Sequence, residues 1–338
     1  MDYFERLKNT KDRRSDSVVS YLSEAFELPT SKMGDSMKYA FENMMPIDVK
    51  YNDNTIKAAE KVKDHLISEF TSKKIPAIFE YQGSVLTNTN IKIHSDIDIL
   101  TITNKFHTCG NGVKPKNPYN GDALADLKEL YEACEGKVSS TYKDVDTSKS
   151  KCISVKLSDP KRKVDIVVAN QYIFKEEDEN NLQNCGIQIY DHNQKIRLSP
   201  DYPFHHLRSV TSKVELTNDK FAKAVRLLKT IKVDSKINLS SFEITCFCYS
   251  ISNEDYNMCA GKITIIELIN NYLKKFISDS DFRDNIQSPN GCERPFINFS
   301  KLGEFRKIQK EIEEILQDIL LETKQVLNNT KALNYERY

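Results

Sequence analysis

The sequence lacks any excess of charge of one sign. Lysine plus arginine and aspartate plus glutamate each number 49 in 338 residues, so the formal net charge is zero. Proteins that bind long nucleic acids usually carry a positive excess, because neutralising phosphates dominates such binding. We therefore expect no obligatory long nucleic-acid partner, although the charge balance leaves room for a local basic cleft.

The sequence also lacks a candidate membrane segment and a disulfide framework. No apolar run approaches the roughly eighteen residues that a membrane span needs. The opening stretch MDYFERLKNTKDRRSD is charged and has no apolar core, unlike a signal peptide. Eight scattered cysteines are too few for a disulfide scaffold. These absences predict a cytoplasmic protein, with no membrane partner, whose thiols are reduced and mostly buried.

The first part of the chain mixes helical and strand patterns. Apolar spacing predicts a polar amphipathic helix over residues 1–45 with breaks near Pro29 and Gly34. Further helices are predicted from Asn54 to about Ser72 and over Asp122–Cys134. The stretch Asn104–Asn120 is rich in glycine, proline and asparagine and is predicted to be a long loop. Alternation predicts strands in the segments IPAIFEYQG, DIDILTIT, KCISVKLS and KVDIVVAN.

After Pro200 the pattern becomes helical. Thr217 or Asn218 is a candidate N-cap for the first of four helices, and Ser240-Ser241 begins the second. The last residues, NNTKALNYERY, read as a loose tail. The fold class is therefore α+β. The predicted domains are a catalytic domain with N-terminal helices over 1–200, a helical domain over 201–327 and a flexible tail over 328–338.

Carboxylates converge in the pattern of two predicted strands. Asp96 and Asp98 alternate with apolar residues, so both point to one face, and Asp165 interrupts a later apolar strand. Converging carboxylates repel unless divalent cations neutralise them. Two Mg²⁺ ions, for which Mn²⁺ can substitute, would activate an attacking hydroxyl and stabilise a leaving pyrophosphate. Asp96, Asp98 and Asp165 are thus the candidate catalytic residues and metal ligands.

A Gly-Ser pair precedes the aspartates by eleven residues. Gly83 permits a tight turn and a close approach of backbone to phosphate, and Ser84 adds a hydroxyl and an N–H group. An isolated Asp-x-Asp usually marks a solvated strand edge, and an isolated Gly-Ser is usually a turn. Their combination with a later strand aspartate is much more specific for nucleotide chemistry.

These residues resemble the polymerase-beta-like nucleotidyltransferase superfamily and, within it, the CD-NTases, bacterial relatives of cyclic GMP-AMP synthase. The sequence departs from the CD-NTase pattern at Val85, where an aromatic residue is usual, and at Asn88, where glycine is usual. The matching residues are Gln82-Gly83-Ser84, Thr89, Ile91 and Ser95-Asp96-Ile97-Asp98.

A second resemblance lies downstream, in RLLKTIK and LSSFEITCFCYSI. It implies that Lys229 and Ser241 contact the triphosphate of the donor nucleotide and that Phe242 stacks on its base. Gln82, Gly83 and Ser84 complete the implied nucleotide-binding set. The implied architecture is a nucleotidyltransferase sheet packed on a C-terminal helical domain, bilobed, with the active site in the cleft.

The resemblance implies an enzyme that joins nucleoside triphosphates (NTPs), ATP or GTP first and pyrimidine nucleotides second, into a cyclic di- or oligonucleotide with release of pyrophosphate. It also implies a role in bacterial antiphage (CBASS) signalling, in which an effector protein senses the product. Two alternatives stay open. One is an RNA-tailing or tRNA-modifying nucleotidyltransferase, since the basic segment Arg208–Lys236 could serve an RNA backbone as well as a triphosphate pocket. The other is a catalytically silent nucleotide sensor or toxin–antitoxin partner.

Overall fold

The structure is a computed structural model that describes residues 2–13, 33–91, 97–115, 118–175 and 181–335. These residues form two compact units. The sheet unit comprises Val49–Thr87 and His94–Ser209, and the helical unit comprises Met1–Asp48, Asn88–Ile93 and Val210–Tyr338. The helices in the described ranges are α1 (Tyr3–Arg13), α2 (Asp35–Met44), α3 (Val49–Lys73), α4 (Ala123–Thr141), α5 (Pro203–Leu216), α6 (Lys220–Asp234), α7 (Ser241–Ser250), α8 (Asn253–Met258), α9 (Lys262–Ser278), α10 (Ser280–Asp284) and α11 (Leu302–Tyr335).

A mixed sheet forms the centre of the sheet unit. Its main path runs β1-β2-β5-β4-β3, with β6 pairing with β5 and β7 pairing with β6. Only the β2–β5 pair is parallel among the described pairings. The strands are β1 (Ala77–Gln82), β2 (Ile97–Cys109), β3 (Asp144–Asp146), β4 (Ile153–Ser158), β5 (Lys161–Ile173), β6 (Gly186–Asp191) and β7 (Ile196–Arg197).

The two faces of the sheet bury different sets of side chains. Ile97 and Ile99 of β2 pack with Val164 and Ile166 of β5 in one core cluster, which also contains apolar residues of α3 and α4. On the opposite face, Leu100 lies in a smaller cluster with apolar residues from β5 and β6. Because strand side chains alternate between faces, Asp98 and Asp165 lie on the face away from the larger core.

The helical unit is built around a cluster of aromatic side chains. Phe276 of α9 lies 4.4 Å from Phe305, 4.9 Å from Phe296 and 5.5 Å from Phe247, measured between ring centroids. The first turn of α2 joins this unit through a distant carboxylate, since the backbone N–H groups of Ser36 and Met37 donate to Glu322 of α11. Glu322 thereby accepts from donors that have no partner within the helix.

Several predicted boundaries differ from the structure. β2 continues to Cys109, into the predicted loop Asn104–Asn120. The prediction missed this part of the strand because the pairing register with β5 shifts between Thr103 and His107, which interrupts the alternation. The N-cap of α6 is Asp219 rather than Thr217 or Asn218, with Asn218 and Asp219 both at positive φ. The Thr217 hydroxyl nevertheless accepts from the N–H of Phe221 and so satisfies a first-turn donor.

The C-terminal end of the chain also departs from prediction, whereas the N-terminal break at Gly34 is confirmed. α11 continues to Tyr335, through most of the predicted tail over 328–338. That stretch contains neither glycine nor proline, so nothing in it forces the helix to end. Near the N-terminus, α1 and α2 flank the predicted break at Gly34, whereas the break at Pro29 lies outside the described residues.

The compact units differ from the predicted domains in three respects, the first of which is that Asn88–Ile93 belongs to the helical unit. Met1–Asp48 groups with the helical unit, although residues 1–200 were predicted to form one domain, and the second division falls at Ser209 and Val210 rather than at residue 200. As functional domains, the assignments over 1–200, 201–327 and 328–338 stay predictions.

Two of the expected absences can be compared with the structure. No helix in the described ranges is long and apolar enough to cross a membrane. All eight cysteines lie in the described ranges, five are buried and only Cys292 is exposed, which confirms the prediction of mostly buried thiols.

Arg226 of α6 is the largest fully buried side chain in the described residues. Its guanidinium donates to the carbonyl oxygens of Met44, at 2.8 Å, and Asn88, at 2.5 Å, and pairs with both carboxylate oxygens of Asp219. A buried charge requires this degree of pairing, since an unpaired one would be strongly unfavourable. Arg226 thus joins three separate segments of the helical unit.

We expect Arg226→Met to lower the free energy of unfolding by about 3 kcal/mol, because two carbonyl groups lose their donor and a carboxylate loses its partner. Urea denaturation followed by circular dichroism measures this change. Lys223→Met is the matched control, since Lys223 lies 4.0 Å from the same Asp219 carboxylate but is partly exposed, and it should change stability by less than about 1 kcal/mol. Equal losses in both variants would contradict the role given to Arg226.

Candidate active site

Three adjacent strands bring polar residues into register at one end of the sheet. Asp98 of β2 is the pairing partner of Asp165 of β5 in the parallel ladder and of Gln82 of β1 in the antiparallel ladder. Directly paired residues on neighbouring strands share a face. The predicted convergence of Asp98 and Asp165 is therefore a property of the sheet register, and Gln82 lies beside them.

The carboxylate of Asp165 is held by three side chains. The Ser154 hydroxyl donates to Oδ1 at 2.5 Å, and the Lys163 ammonium donates to Oδ2 at 2.8 Å. Lys149 lies 3.5 Å from Oδ2 and also donates to Ser154 Oγ at 2.9 Å. Burial opposes ionisation of Asp165, but the hydrogen bonds from Lys163 and Ser154 outweigh it, so the pKa of Asp165 is lowered. Asp165 is thus an ionised and oriented carboxylate.

The acidic pair fits a divalent cation in its chemistry. Carboxylate oxygens are the ligands that Mg²⁺ prefers, usually one or two of them together with substrate phosphates. Asp98 and Asp165 supply two such groups on one face. Asp96, the third predicted ligand, lies outside the described residues, and within the described ranges no group of three or more His, Cys, Asp or Glu side chains is placed to hold a metal. The structure thus places two of the three predicted carboxylates on one face of the sheet, and metal binding by them stays a prediction.

The Gly-Ser pair begins the turn that follows β1. Gly83 has φ of 129°, a conformation that residues with a Cβ atom rarely adopt. The backbone N–H of Leu86 returns to the Gly83 carbonyl, and the Thr87 hydroxyl donates to the Ser84 carbonyl. The prediction that Gly83 permits a tight turn is confirmed, whereas phosphate binding by Gly83 and Ser84 stays a prediction.

Asn88, which stands where the family pattern has glycine, also has a positive φ, of 55°. Asparagine enters the left-handed region more readily than most residues with a side chain. The departure from the family pattern at this position therefore preserves the backbone conformation that glycine would provide. The structure gives no comparable explanation for Val85, which is buried.

The segment that begins at Asn88 is fixed by two cations of α6. Arg226 donates to the Asn88 carbonyl, and the Lys229 ammonium donates to the Thr89 carbonyl at 3.0 Å. Lys229 is 5 % exposed, and burial lowers its pKa to about 8. The resemblance assigns Lys229 to the donor triphosphate, and that contact stays a prediction. What the structure shows is a buried lysine bound to the backbone of the segment between the Gly-Ser turn and β2.

The other two predicted nucleotide-binding residues lie in the first turn of α7. Ser240 is the N-cap, and it forms a capping box with Glu243, as the predicted Ser240-Ser241 helix start implies. Ser241 is exposed, and Phe242 is partly buried against the core of the helical unit. An exposed serine at a helix N-terminus suits a phosphate, but the roles of both residues are untested predictions.

Sequence reasoning missed the residues that position the site. Ser154 lies two residues after a cysteine in a strand pattern, and Lys163 and Lys149 look like ordinary surface lysines. Lys163 is two residues before Asp165 on one strand, so the period-2 rule could have placed both on the same face. Ser154 could be found only from the pairing of β4 with β5, because the sequence does not reveal the register between strands.

Several known proteins are similar to this chain. Residues 208–317 match the model of the cGAS/DncV-like nucleotidyltransferase C-terminal helical domain. A protein named c-di-GMP synthase from Flavobacteriaceae sp. genome_bin_11 is 31% identical over 360 residues, covering 94% of this chain and 97% of that protein. A second c-di-GMP synthase, from Lachnospiraceae bacterium (strain RUG226), is 32% identical, covering 75% of this chain and 81% of that protein.

The chain belongs to the cGAS/DncV-like nucleotidyltransferase (CD-NTase) family. A solved structure titled as a STING-associated CdnE c-di-GMP synthase from Flavobacteriaceae sp. matches with a TM-score of 0.82 and 30% identity, over 94% of this chain and 98% of that one. The predicted family and the mixed α+β fold class are therefore confirmed. As a CD-NTase, the protein is a nucleotidyltransferase that makes cyclic di- or oligonucleotides from NTPs, and such enzymes are generally dependent on divalent metal.

The backbone conformation at Asn88 gives a testable prediction for this CD-NTase. Asn88→Val should lower the free energy of unfolding by about 1–2 kcal/mol, because a β-branched residue is strained at positive φ. Asn88→Gly, the matched variant, should leave stability unchanged within about 0.5 kcal/mol, since glycine adopts this φ freely but adds chain entropy to the unfolded state. Urea unfolding of the three proteins distinguishes these cases, and equal stability of the valine and glycine variants would contradict the assigned conformation.

Proposed function

We propose that this CD-NTase makes a cyclic dipurine nucleotide, and specifically c-di-GMP from two molecules of GTP. The activity rests on one structural observation, the direct pairing of Asp98 with Asp165 beside Gln82. The choice of base rests on the relatives, since two proteins more than 30% identical to this chain bear the name c-di-GMP synthase. ATP and the pyrimidine nucleotides are the substrates that the proposal ranks below GTP.

In this proposal the residues of the sheet unit hold the reacting groups. Asp98 and Asp165, joined by Asp96, ligate two Mg²⁺ ions, for which Mn²⁺ can substitute. Bound there, the ions supply charge neutralisation for phosphoryl transfer. The backbone of Gly83 and Ser84 binds triphosphate oxygens, because N–H groups in a tight turn form an anion-binding concavity. Gln82 lies beside Asp98 and orients the nucleotide at the same end of the sheet.

The helical unit supplies the remaining nucleotide contacts in this proposal. Ser241 offers its hydroxyl and the N-terminus of α7 to the donor triphosphate, and Phe242 stacks on the base, a contact that tolerates any base. Lys229 is already bound to the Thr89 carbonyl. It therefore serves the triphosphate by fixing the backbone that follows the Gly-Ser turn, together with any direct contact that it makes with phosphate.

The alternative acceptor, an RNA, is less well supported. The sequence feature that could serve an RNA backbone is the basic segment Arg208–Lys236, which contains eight lysine and arginine residues. Three of them, Lys213, Arg226 and Lys229, are buried in the structure. These three cations are withdrawn from the surface, so the segment presents fewer positive charges to an RNA backbone than its sequence indicates.

The proposed cellular role follows the same relatives. A product of this kind is a second messenger, and the solved relative is titled as STING-associated. We infer that an effector protein that senses a cyclic dinucleotide is the partner of this enzyme and that the pair acts in antiphage defence. The interaction runs through the diffusible product, so it requires no docking surface on the enzyme.

The decisive experiment is incubation of the purified protein with each NTP and with all four, in Mg²⁺ and separately in Mn²⁺. Products are treated with phosphatase and analysed by mass spectrometry. We expect a phosphatase-resistant species with the mass of c-di-GMP from GTP alone. A different cyclic product would refute the assignment of the base. In a parallel reaction with added RNA, linear tailing of that RNA without any cyclic product would refute the proposed function.

We expect Asp98→Asn and Asp165→Asn to reduce this product by at least about a hundredfold, because each removes one negative charge from the metal site. Asp144→Asn is the matched control. Asp144 is an exposed carboxylate on β3 of the same sheet, paired with Lys156 rather than with the site, and its loss should leave the rate within about twofold. Similar rates in all three variants would remove the carboxylates from the mechanism.

A further inference from the structure

The carboxylate of Asp165 has both oxygens occupied by protein donors. Ser154 holds Oδ1 at 2.5 Å, and both partners are buried, so this bond is protected from solvent. Lys163 holds Oδ2 at 2.8 Å, with Lys149 3.5 Å from the same atom. The oxygen available for a metal is therefore Oδ2, since the Ser154 bond fixes the other one.

An ammonium group and a divalent cation cannot share Oδ2 without strong repulsion. Mg²⁺ binds a carboxylate oxygen at about 2.1 Å, which would place it within a few ångströms of the Lys163 nitrogen if that side chain stayed in place. At such separations, like charges in a partly buried site repel by several kcal/mol. Metal binding at Asp165 therefore requires the ammonium group of Lys163 to leave.

Both lysine side chains are exposed enough to move away from Asp165. The Lys163 side chain is 24% exposed and that of Lys149 is 45% exposed, whereas the Asp165 side chain is 13% exposed. Lysine is a flexible point charge that can exchange partners without the fixed geometry of arginine. An incoming triphosphate would bring new negative charge to the same face of the sheet, and thus a new partner for the released ammonium groups.

We propose that Lys163, with Lys149 beside it, acts as a displaceable counter-cation: it occupies the metal position on Asp165 in the nucleotide-free enzyme and moves to phosphate when metal and NTP bind together. The inference rests on the proposed metal role of Asp165. It makes Lys163 a further nucleotide-binding residue and couples metal binding to substrate binding, so that the site holds metal weakly until the NTP is present.

Measuring Mn²⁺ binding tests, without any turnover, whether Lys163 competes with metal for Asp165. Dissociation constants are measured by electron paramagnetic resonance of free Mn²⁺, in the absence of nucleotide, for the wild type, Lys163→Met, Lys156→Met and Asp165→Asn. We expect Lys163→Met to bind Mn²⁺ about three- to tenfold more tightly than the wild type, because the competing charge is gone. An unchanged or weaker affinity would overturn the proposal.

Lys156→Met is the matched control. Lys156 lies on β4 opposite Lys163 in the strand register, two residues from Ser154 and on the same face of the sheet. Its ammonium group forms an ion pair with the exposed carboxylate of Asp144 rather than with Asp165. Its variant should bind Mn²⁺ like the wild type, and an equal gain in both methionine variants would mean a general surface-charge effect and overturn the specific role. Melting temperatures of all variants verify that each is folded.

Measuring nucleotide affinity tests whether Lys163 moves to phosphate, and here the Lys163→Met substitution should weaken binding rather than strengthen it. At Mn²⁺ concentrations that saturate every variant, so that the tighter Mn²⁺ binding of Lys163→Met no longer contributes, a non-hydrolysable GTP analogue measured by calorimetry should bind Lys163→Met about three- to tenfold more weakly than the wild type, with Lys156→Met unchanged. Equal or tighter binding of the analogue would overturn the transfer of Lys163 to phosphate. Failure of the proposed function would give a different result: Asp165→Asn would then bind Mn²⁺ as tightly as the wild type does.

Discussion

The parallel pairing of β2 with β5 is the constraint on which the site depends. It is the single parallel pair among the described pairings, and its register sets Asp98 directly opposite Asp165. A shift by one residue would move one of these carboxylates into the apolar core that contains Ile97 and Ile166. The hydrophobic face of the sheet therefore enforces the alignment of the acids, and the same residues that stabilise the fold determine the geometry of the metal ligands.

A second layer of control comes from buried cations of α6. Arg226 and Lys229 donate to the carbonyl oxygens of Asn88 and Thr89, at the point where the chain leaves the Gly-Ser turn. Burying two positive charges is unfavourable unless their donors are satisfied, so this backbone segment is strongly specified. The positive φ of Asn88 belongs to the same arrangement. Lys229 therefore has a structural role, the hydrogen bond to the Thr89 carbonyl, in addition to the phosphate contact that the resemblance implies.

Sequence patterns were sufficient for the features that depend on local periodicity. The alternation around Asp98 and Asp165 predicted their strand faces, and Ser240-Ser241 marked the start of α7. They were insufficient where distant segments meet. The bulge in β2 after Thr103 hid six residues of strand, and the Ser154–Asp165 bond depends on an antiparallel register that no single strand encodes. The continuation of α11 was missed because polar residues at its end resemble a tail.

A crystal structure of the protein with Mn²⁺ and a non-hydrolysable GTP analogue, with Mn²⁺ located by its anomalous scattering, tests most directly whether the β2–β5 register builds the metal site. We expect an anomalous peak about 2.2 Å from carboxylate oxygens of both Asp98 and Asp165, with the triphosphate against the turn at Gly83 and Ser84. Mn²⁺ bound elsewhere, with Asp165 still held by Lys163, would contradict the claim that the β2–β5 register builds the metal site.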